Sequence, residues 1–236
     1  MSDRDDHVLR EQIAYYEARA GEYDEWFMRQ GRYDRGEERT AEWMAEVDQV
    51  RDALARLPID GARVLELAPG TGLWTELIAR RAKSVVAVDA SPEMIAQCRR
   101  RLGGLADRVT FELADLFSWG TDEEFDAVVF CFWISHVPRD HVDAFLATVA
   151  RALRSGGVLF FVDSKREETS TAQDHVLPDA GHEIMVRRLD DGREFSVVKN
   201  FWSGDELAKK FGDAGLQIAI TETPTYFQYG VGGREP

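Results

Sequence analysis

The stretch Val64-Leu65-Glu66-Leu67-Ala68-Pro69-Gly70-Thr71-Gly72, followed by Val85-Val86-Ala87-Val88-Asp89, constrains the fold more than any other part of the chain. A short apolar run, a glycine turn opening a helix, and a second apolar run ending in an acid form the layout of a strand–helix–strand unit. Such a unit places a nucleotide-type ligand at the edge of a parallel sheet. Side chains are missing where a ligand must approach the backbone, and an acid stands where a ribose diol needs an acceptor.

The surrounding pattern agrees. Apolar runs at 63–67, 84–88, 108–112, 125–131 and 157–163 are short and continuous, as in strands buried on both faces of a parallel sheet. Helices fill the gaps: one opens at Thr71–Leu73, one has Ser91 as N-cap with Pro92 in its first turn, and one runs from Val142 to Leu153. Glu183–Leu189 and Arg193–Val198 flank an Asp191-Gly192 turn and read as an antiparallel hairpin. A helix near 204–214 capped by Ser203 and strands near 216–222 and 225–231 complete the tail. At the front, Leu9, Ile13, Tyr16, Ala20, Tyr23 and Phe27 make an amphipathic helix that Gly21 interrupts. A second helix carries Trp43, Val47, Val50, Leu54 and Leu57 on one face and stops before Pro58. The expected division is an N-terminal helical segment, 1–58, and an α/β core, 59–236, with a hairpin insertion near 183–198.

Composition excludes several classes. A formal net charge of −14 over 236 residues opposes a nucleic-acid partner, since phosphate binding needs clustered Lys and Arg. The two cysteines, Cys98 and Cys131, build neither a disulfide framework nor a zinc site. His175 and His182 share a loop with Asp174 and Asp179 but show no compact ligand spacing, so no metal is expected. No apolar run has the length of a membrane span, and Met1-Ser2-Asp3-Arg4-Asp5-Asp6 is unlike a signal peptide. The expectation is a soluble, cytoplasmic protein, monomer or homodimer, with no membrane partner.

Gly70-Thr71-Gly72 supplies only two of the three glycines of a dinucleotide fingerprint, with Thr75 at the helix-packing position. Glu66, just before the turn, would repel a pyrophosphate, and no basic residue near the turn neutralises one. Asp115, after the third strand, adds another acid. Glu66, Asp89 and Asp115 together suit a ligand with an ammonium group, a ribose diol and an adenine amine but no phosphate: S-adenosylmethionine (SAM).

In these motifs the chain resembles the class I SAM-dependent methyltransferases of the small-molecule type, over roughly residues 60 to 230. The resemblance rests on Glu66–Gly72, Asp89, Asp115-Leu116, Phe125-Asp126-Ala127-Val128-Val129 and Leu153-Arg154-Ser155-Gly156-Gly157, in order and at family-like spacing. Ala68 departs from it, standing where the family often has glycine. The resemblance implies an α/β, Rossmann-like seven-stranded mixed sheet with helices on both faces and a reversed hairpin at its end. It implies Glu66 near the methionine moiety, close backbone approach at Ala68, Gly70 and Gly72, and Asp89 on the ribose hydroxyls. Ala90 and Met94 would flank the adenine, with Asp115 and Leu116 at its amine and ring edge. Phe130 joins these expected contacts, and an N-terminal Tyr-Tyr…Ala…Tyr-Asp helix would lid the cofactor, bringing Tyr15 and Tyr23 to it.

On the acceptor side, His136 follows the fourth strand and has the intrinsic pKa of a general base, which is needed only when the nucleophile must lose a proton. Trp26, Trp133, Trp202 and Tyr226 are the aromatic candidates for covering the acceptor, whereas Tyr16 and Phe27 read as core. The expected reaction is methyl transfer to an O or N atom of a small molecule. A C-methyltransferase acting on a quinone or polyketide-like ring stays open, as does a protein methyltransferase. RNA is disfavoured by charge, no Asn-Pro-Pro-Tyr-type signature follows the fourth strand, and the wealth of aromatics opposes a non-enzymatic binding module.

Overall fold

Period-two alternation along the strands sends neighbouring side chains to opposite faces and so builds two cores around one sheet. In the computed structural model, which describes residues 3–179 and 181–235, the parallel strands are β1 (Arg63–Leu67), β2 (Ser84–Asp89), β3 (Val109–Leu113), β4 (Phe125–Cys131) and β5 (Leu153–Ser164). β6 (Ile184–Arg188) and β7 (Glu194–Val198) pair only with each other, while β8 (Gln217–Glu222) and β9 (Phe227–Gly233) complete the main sheet. Its order is β3-β2-β1-β4-β5-β9-β8, with β9 antiparallel to both neighbours. This is the seven-stranded mixed sheet that the resemblance implies. Met1 and Ser2, part of the start read as unlike a signal peptide, lie outside the described residues.

The helices are α1 (Asp3–Arg19), α2 (Tyr23–Phe27), α3 (Glu37–Ala55), α4 (Thr75–Ala79), α5 (Pro92–Leu102), α6 (Val142–Ala152) and α7 (Gly204–Asp213). Val64, Val129, Phe160 and Val162 pack on one face of the sheet with Trp43, Ile78 and Cys98 of α3, α4 and α5. Leu65, Val128, Phe130 and Phe161 pack on the other with Leu146 and Phe211 of α6 and α7. A third, small core joins Tyr15 of α1 to Met185, Leu189 and Val197 of the hairpin. The α1–α2 break falls where Gly21 placed it. The helix after the glycine turn starts at Thr75, later than its expected opening at Thr71–Leu73, because Gly70 and Gly72 hold φ of +56° and +86° and keep the intervening chain in turns.

Glu46 of α3 fastens this layer to the antiparallel edge. Its buried carboxylate accepts from Thr225 N (2.9 Å), Tyr226 N (2.7 Å) and the Thr223 hydroxyl. Replacing it with alanine strips the Thr225 and Tyr226 amides of their acceptor and leaves the Thr223 hydroxyl only Phe227 O. We expect Glu46→Ala to cost about 3 kcal/mol, summed over the stranded donors. Urea denaturation checks this, and a midpoint within error of wild type would contradict it.

Candidate active site

Strand order reverses between β1 and β4, and ligands in open α/β sheets bind in the crevice beyond the strand ends at such a switch point. Ala68 and Phe132, the residues next beyond β1 and β4, both adopt left-handed backbone, with φ of +54° and +56°. Non-glycine residues pay about 1–2 kcal/mol for that conformation, so the surrounding hydrogen bonds must hold it. Ala68 N donates to Val88 O (2.9 Å) and Phe132 N to Val162 O (2.7 Å).

A cleft of about 650 Å³ opens here. It is lined by Ala68 and Gly70 from the turn after β1, by Asp89, Ala90, Ser91 and Met94 after β2, and by Asp115, Leu116 and Phe117 after β3. Trp133 lies beyond β4, and Gln12, Ile13, Tyr16 and Tyr23 close it from the N-terminal side. Asp89 is the node of the cleft: Oδ2 accepts from Gly70 N (3.2 Å) and Oδ1 from Ser91 N (2.9 Å). The Ser91 hydroxyl in turn caps α5 by accepting from Met94 N (3.1 Å). Burial pushes the Asp89 carboxyl up to about 6, against the lowering effect of those backbone donors.

Glu66 lies behind the turn rather than in the cleft lining. It is fully enclosed, its Oε2 has no hydrogen-bond partner among the described residues, and burial pushes its carboxyl up to about 8, with Thr75 opposing and Asp89 reinforcing the shift. The front of the cleft is tied down by Asp24, which accepts from the Thr71 hydroxyl (2.7 Å) and pairs with Arg101. Arg101 Nε also donates to Thr71 O (2.8 Å), so α2, the glycine turn and α5 form one unit that holds Tyr23 over Gly70. An adenosyl ligand with an ammonium group fits this surrounding: an orphan carboxyl oxygen behind the turn, an acid at the ribose position, and, among the described residues, no Lys or Arg in the cleft lining to receive a phosphate.

A second cavity, with about 440 Å³ of empty space when its opening to solvent is included, shares Tyr16, Tyr23 and Phe132 with the first and is also lined by Trp26 and His136. His136 ends a tight turn after β4. Its Nδ1 lies 2.6 Å from Val198 O, a carbonyl, so Nδ1 carries the proton and donates while Nε2 keeps its lone pair. Burial first, then the nearby charges of Lys199, Arg187 and Arg19, push its pKa well below the usual histidine value. Trp26 Nε1 donates to Ser170 O (2.8 Å).

The methyltransferase domain family matches residues 64–157 of the chain. The chain is 34% identical over 169 residues to a ubiquinone biosynthesis O-methyltransferase of Xanthomonas oryzae pv. oryzae, covering 70% of this chain and 66% of that protein. It is 33% identical to the counterpart from Xylella fastidiosa, where the match spans 64% of the relative's length. These curated relatives are thus matched over about two thirds of their length or slightly less. Among solved structures, the DhpI-SAH complex superposes with a TM-score of 0.78 at 35% identity, covering 97% of this chain and 98% of that one. The chain belongs to the class I SAM-dependent methyltransferases. A DhpI-SAM-HEP complex matches equally well, and a Clostridium acetobutylicum methyltransferase at 16% identity and a TM-score of 0.65 shares the fold. The cofactor of this methyltransferase is S-adenosylmethionine.

Of the residues expected at the cofactor, Ala68, Gly70, Asp89, Ala90, Met94, Asp115, Leu116 and Tyr23 line the cleft together, and Trp133, expected on the acceptor side, joins them. The others need correction. Gly72 faces α5, where a Cβ would stand 2.7 Å from Cys98 Sγ, so it serves packing. Phe130 points to the far face of β4, stacked at 5.8 Å on Phe161 and 6.5 Å from Phe211. Tyr15 is turned into the hairpin against Phe195 (5.7 Å), whereas its neighbour Tyr16, read as core, lines both cavities. Trp202 packs beneath the Arg139 guanidinium (4.1 Å) and Tyr226 on Trp43 (5.0 Å), away from both cavities. Sequence reasoning passed over Arg19, Arg187 and Lys199, which also line the second cavity. The signal for Arg187 is its place on the inward face of β6 in register with Met185, between the outward Val186 and Arg188. Among the described residues no group of three or more His, Cys, Asp or Glu could hold a metal, and no helix is long and apolar enough to cross a membrane.

The Glu66 carboxyl gives the site a pH signature. Folded, it keeps its proton up to about pH 8, whereas an unfolded glutamate ionises near 4.5. Its contribution to stability is therefore complete below about pH 4.5 and is lost as pH rises through 8. We expect the ligand-free wild type to lose more melting temperature between pH 5 and pH 8.5 than Glu66→Gln does. Parallel losses in differential scanning calorimetry would contradict this.

Proposed function

We propose that this methyltransferase transfers a methyl group to an O or N atom of a small molecule held in the second cavity. The observation that carries the reading is that this modest cavity adjoins the cofactor cleft, sharing Tyr16, Tyr23 and Phe132 as common lining. The names of the ubiquinone biosynthesis O-methyltransferases support an oxygen acceptor. Residues 1–58 act in this reading as a lid over the core formed by 59–236, and the net charge of −14 supports a small-molecule partner over a nucleic acid.

When bound, S-adenosylmethionine supplies a methyl group on a sulfonium, and its transfer is an in-line displacement. Asp89 holds the ribose hydroxyls with the lone pairs its backbone donors leave free, Ala90, Met94 and Leu116 hold the adenine, and Asp115 takes its amine. Glu66 answers the ammonium, whose approach favours the ionised carboxylate. Tyr16, Tyr23, Phe132 and Trp26 exclude water between the two cavities, where alignment of nucleophile and methyl supplies most of the acceleration.

His136 enters this scheme as a hydrogen-bond acceptor through Nε2. Burial first, and then the three cations beside it, disfavour an imidazolium, so it orients the acceptor's proton more readily than it retains it. Calorimetry with SAM, paired with turnover of labelled SAM in the presence of fractionated small-molecule extract, separates these roles. Asp89→Ala should weaken SAM binding at least tenfold, while His136→Ala should lower turnover at least tenfold and leave SAM affinity within twofold. Unchanged affinity in the first variant would contradict the ribose role. Full turnover in the second would remove His136 from the reaction.

A further inference from the structure

Around the second cavity, a chain of net charge −14 buries three cations: Arg19, Arg187 and Lys199 are 2%, 8% and 5% exposed. Among the described residues no carboxylate lines that cavity. Lys199 Nζ donates to the Ser135 hydroxyl (2.8 Å) and lies 3.5 Å from Asp163 Oδ1, whose two oxygens also accept from the Ser135 and Ser164 backbone. Arg19 donates through Nη2 to the Tyr33 hydroxyl (3.3 Å) and stacks on Tyr23 at 4.9 Å, but its Nε has no partner. Arg187 Nε is likewise unpartnered, and among the described residues no carboxylate lies within ion-pair distance of either guanidinium. Asp163 thus answers one of the three charges and leaves two unmatched.

Burying a guanidinium costs several kcal/mol even after relaxation, and it is offset only by an opposite charge or by well-placed acceptors. Arg29 shows how this chain settles another buried arginine: its Nε is unpartnered too, but its terminal nitrogens donate to the Thr169 and Ser170 carbonyls and it stacks on Trp43. Among the described residues the Arg187 side chain has no such acceptor. Arg187, Arg19 and Lys199 instead line one space together with Ser164, Ser170 and Thr171, beside a wall of Trp26, Phe132, Leu177 and Phe201. The charges come from α1, β6 and the residue after β7, which all lie outside the main sheet. Beside a sulfonium-bearing cofactor such a cluster repels an ammonium acceptor and draws in an anion.

We infer that the second cavity is an oxyanion subsite, and that the methyl acceptor is an acidic small molecule whose carboxylate or phosphoryl group is gripped by Arg187, Lys199 and Arg19. This rests on the acceptor-cavity reading above and narrows it: the acceptor is anionic, and the basic amine that the neighbouring aromatic faces could have suggested is rejected. Guanidinium forks bind either kind of oxyanion bidentately, and the two unmatched cations are answered most completely by a doubly charged phosphoryl group.

The test titrates the protein, first saturated with S-adenosylhomocysteine, with methylphosphonate, propionate and methylammonium by calorimetry. At least one of the two anions should bind, methylammonium should not, and the stronger anion tells phosphoryl from carboxylate. Arg187→Gln and Lys199→Met should each weaken that anion at least tenfold while S-adenosylhomocysteine affinity changes less than twofold. Arg187→Lys, which keeps the charge and the packing, should recover part of the loss and guards against a folding defect in the glutamine variant. No binding of either anion to the saturated wild type would overturn the inference, as would equal anion affinity in the variants. Loss of S-adenosylhomocysteine affinity in Arg187→Gln and Lys199→Met would overturn it too, by assigning the cations to the cofactor's own carboxylate. A wild type that fails to bind S-adenosylhomocysteine at all would instead bring down the cofactor assignment on which the inference stands.

Discussion

The carboxylate of Asp89 joins three pieces of chain that otherwise have no reason to meet. One oxygen accepts from Gly70 in the turn after β1, the other from Ser91 at the head of α5, and Asp89 itself ends β2. Those bonds fix the turn, the strand end and the helix start in one geometry. Burial raises the cost of ionising the carboxyl, the backbone donors favour the charge against it, and a further donor pair would favour the charge again. A ribose diol is such a pair.

Around that node the site stores local strain. Ala68 and Phe132 hold left-handed backbone at the ends of adjacent strands, on either side of the crevice where the strand order reverses. At Ala68 the methyl group is retained where the family often has glycine, at a cost that the bond to Val88 helps to offset. Most of the cofactor half of the site therefore comes from the strand ends of the sheet, closed over by Gln12, Ile13, Tyr16 and Tyr23 of α1 and α2. The acceptor half comes from elements added to it: α1 and α2 in front and the β6–β7 hairpin behind, joined through the small core of Tyr15, Met185, Leu189 and Val197. This division explains how a common sheet can keep its methyl donor while the added elements set the acceptor.

Most of the sheet could be read from the sequence because its strands are short apolar runs separated by capped helices, and Asp191-Gly192 marked the hairpin. The acids of the cofactor cleft were legible because Asp89 ends β2 and Asp115 follows β3 closely, in a pattern with few alternatives. Side-chain direction was less so. Phe130 and Cys131 are neighbours on β4, yet only Cys131 reaches the cleft, since successive residues face opposite sides of the sheet. Tyr15 and Tyr16 differ in the same way by one step around α1, and the helical stripe alone did not say which edge the hairpin would cover. Trp202 and Tyr226 were drawn to the pocket by residue type, whereas Arg139 and Trp43 are what they pack against. Arg19, Arg187 and Lys199 are scattered over the chain, and only the folding of the hairpin against α1 gathers them.

The central claim is that the crevice between β1 and β4 holds the methyl donor through Asp89. A crystal structure of the protein with S-adenosylhomocysteine tests it most directly. The account predicts both ribose hydroxyls within hydrogen-bond distance of the Asp89 carboxylate, with the adenine between Met94 and Leu116. A ligand seated elsewhere, or a ribose turned away from Asp89, would contradict it.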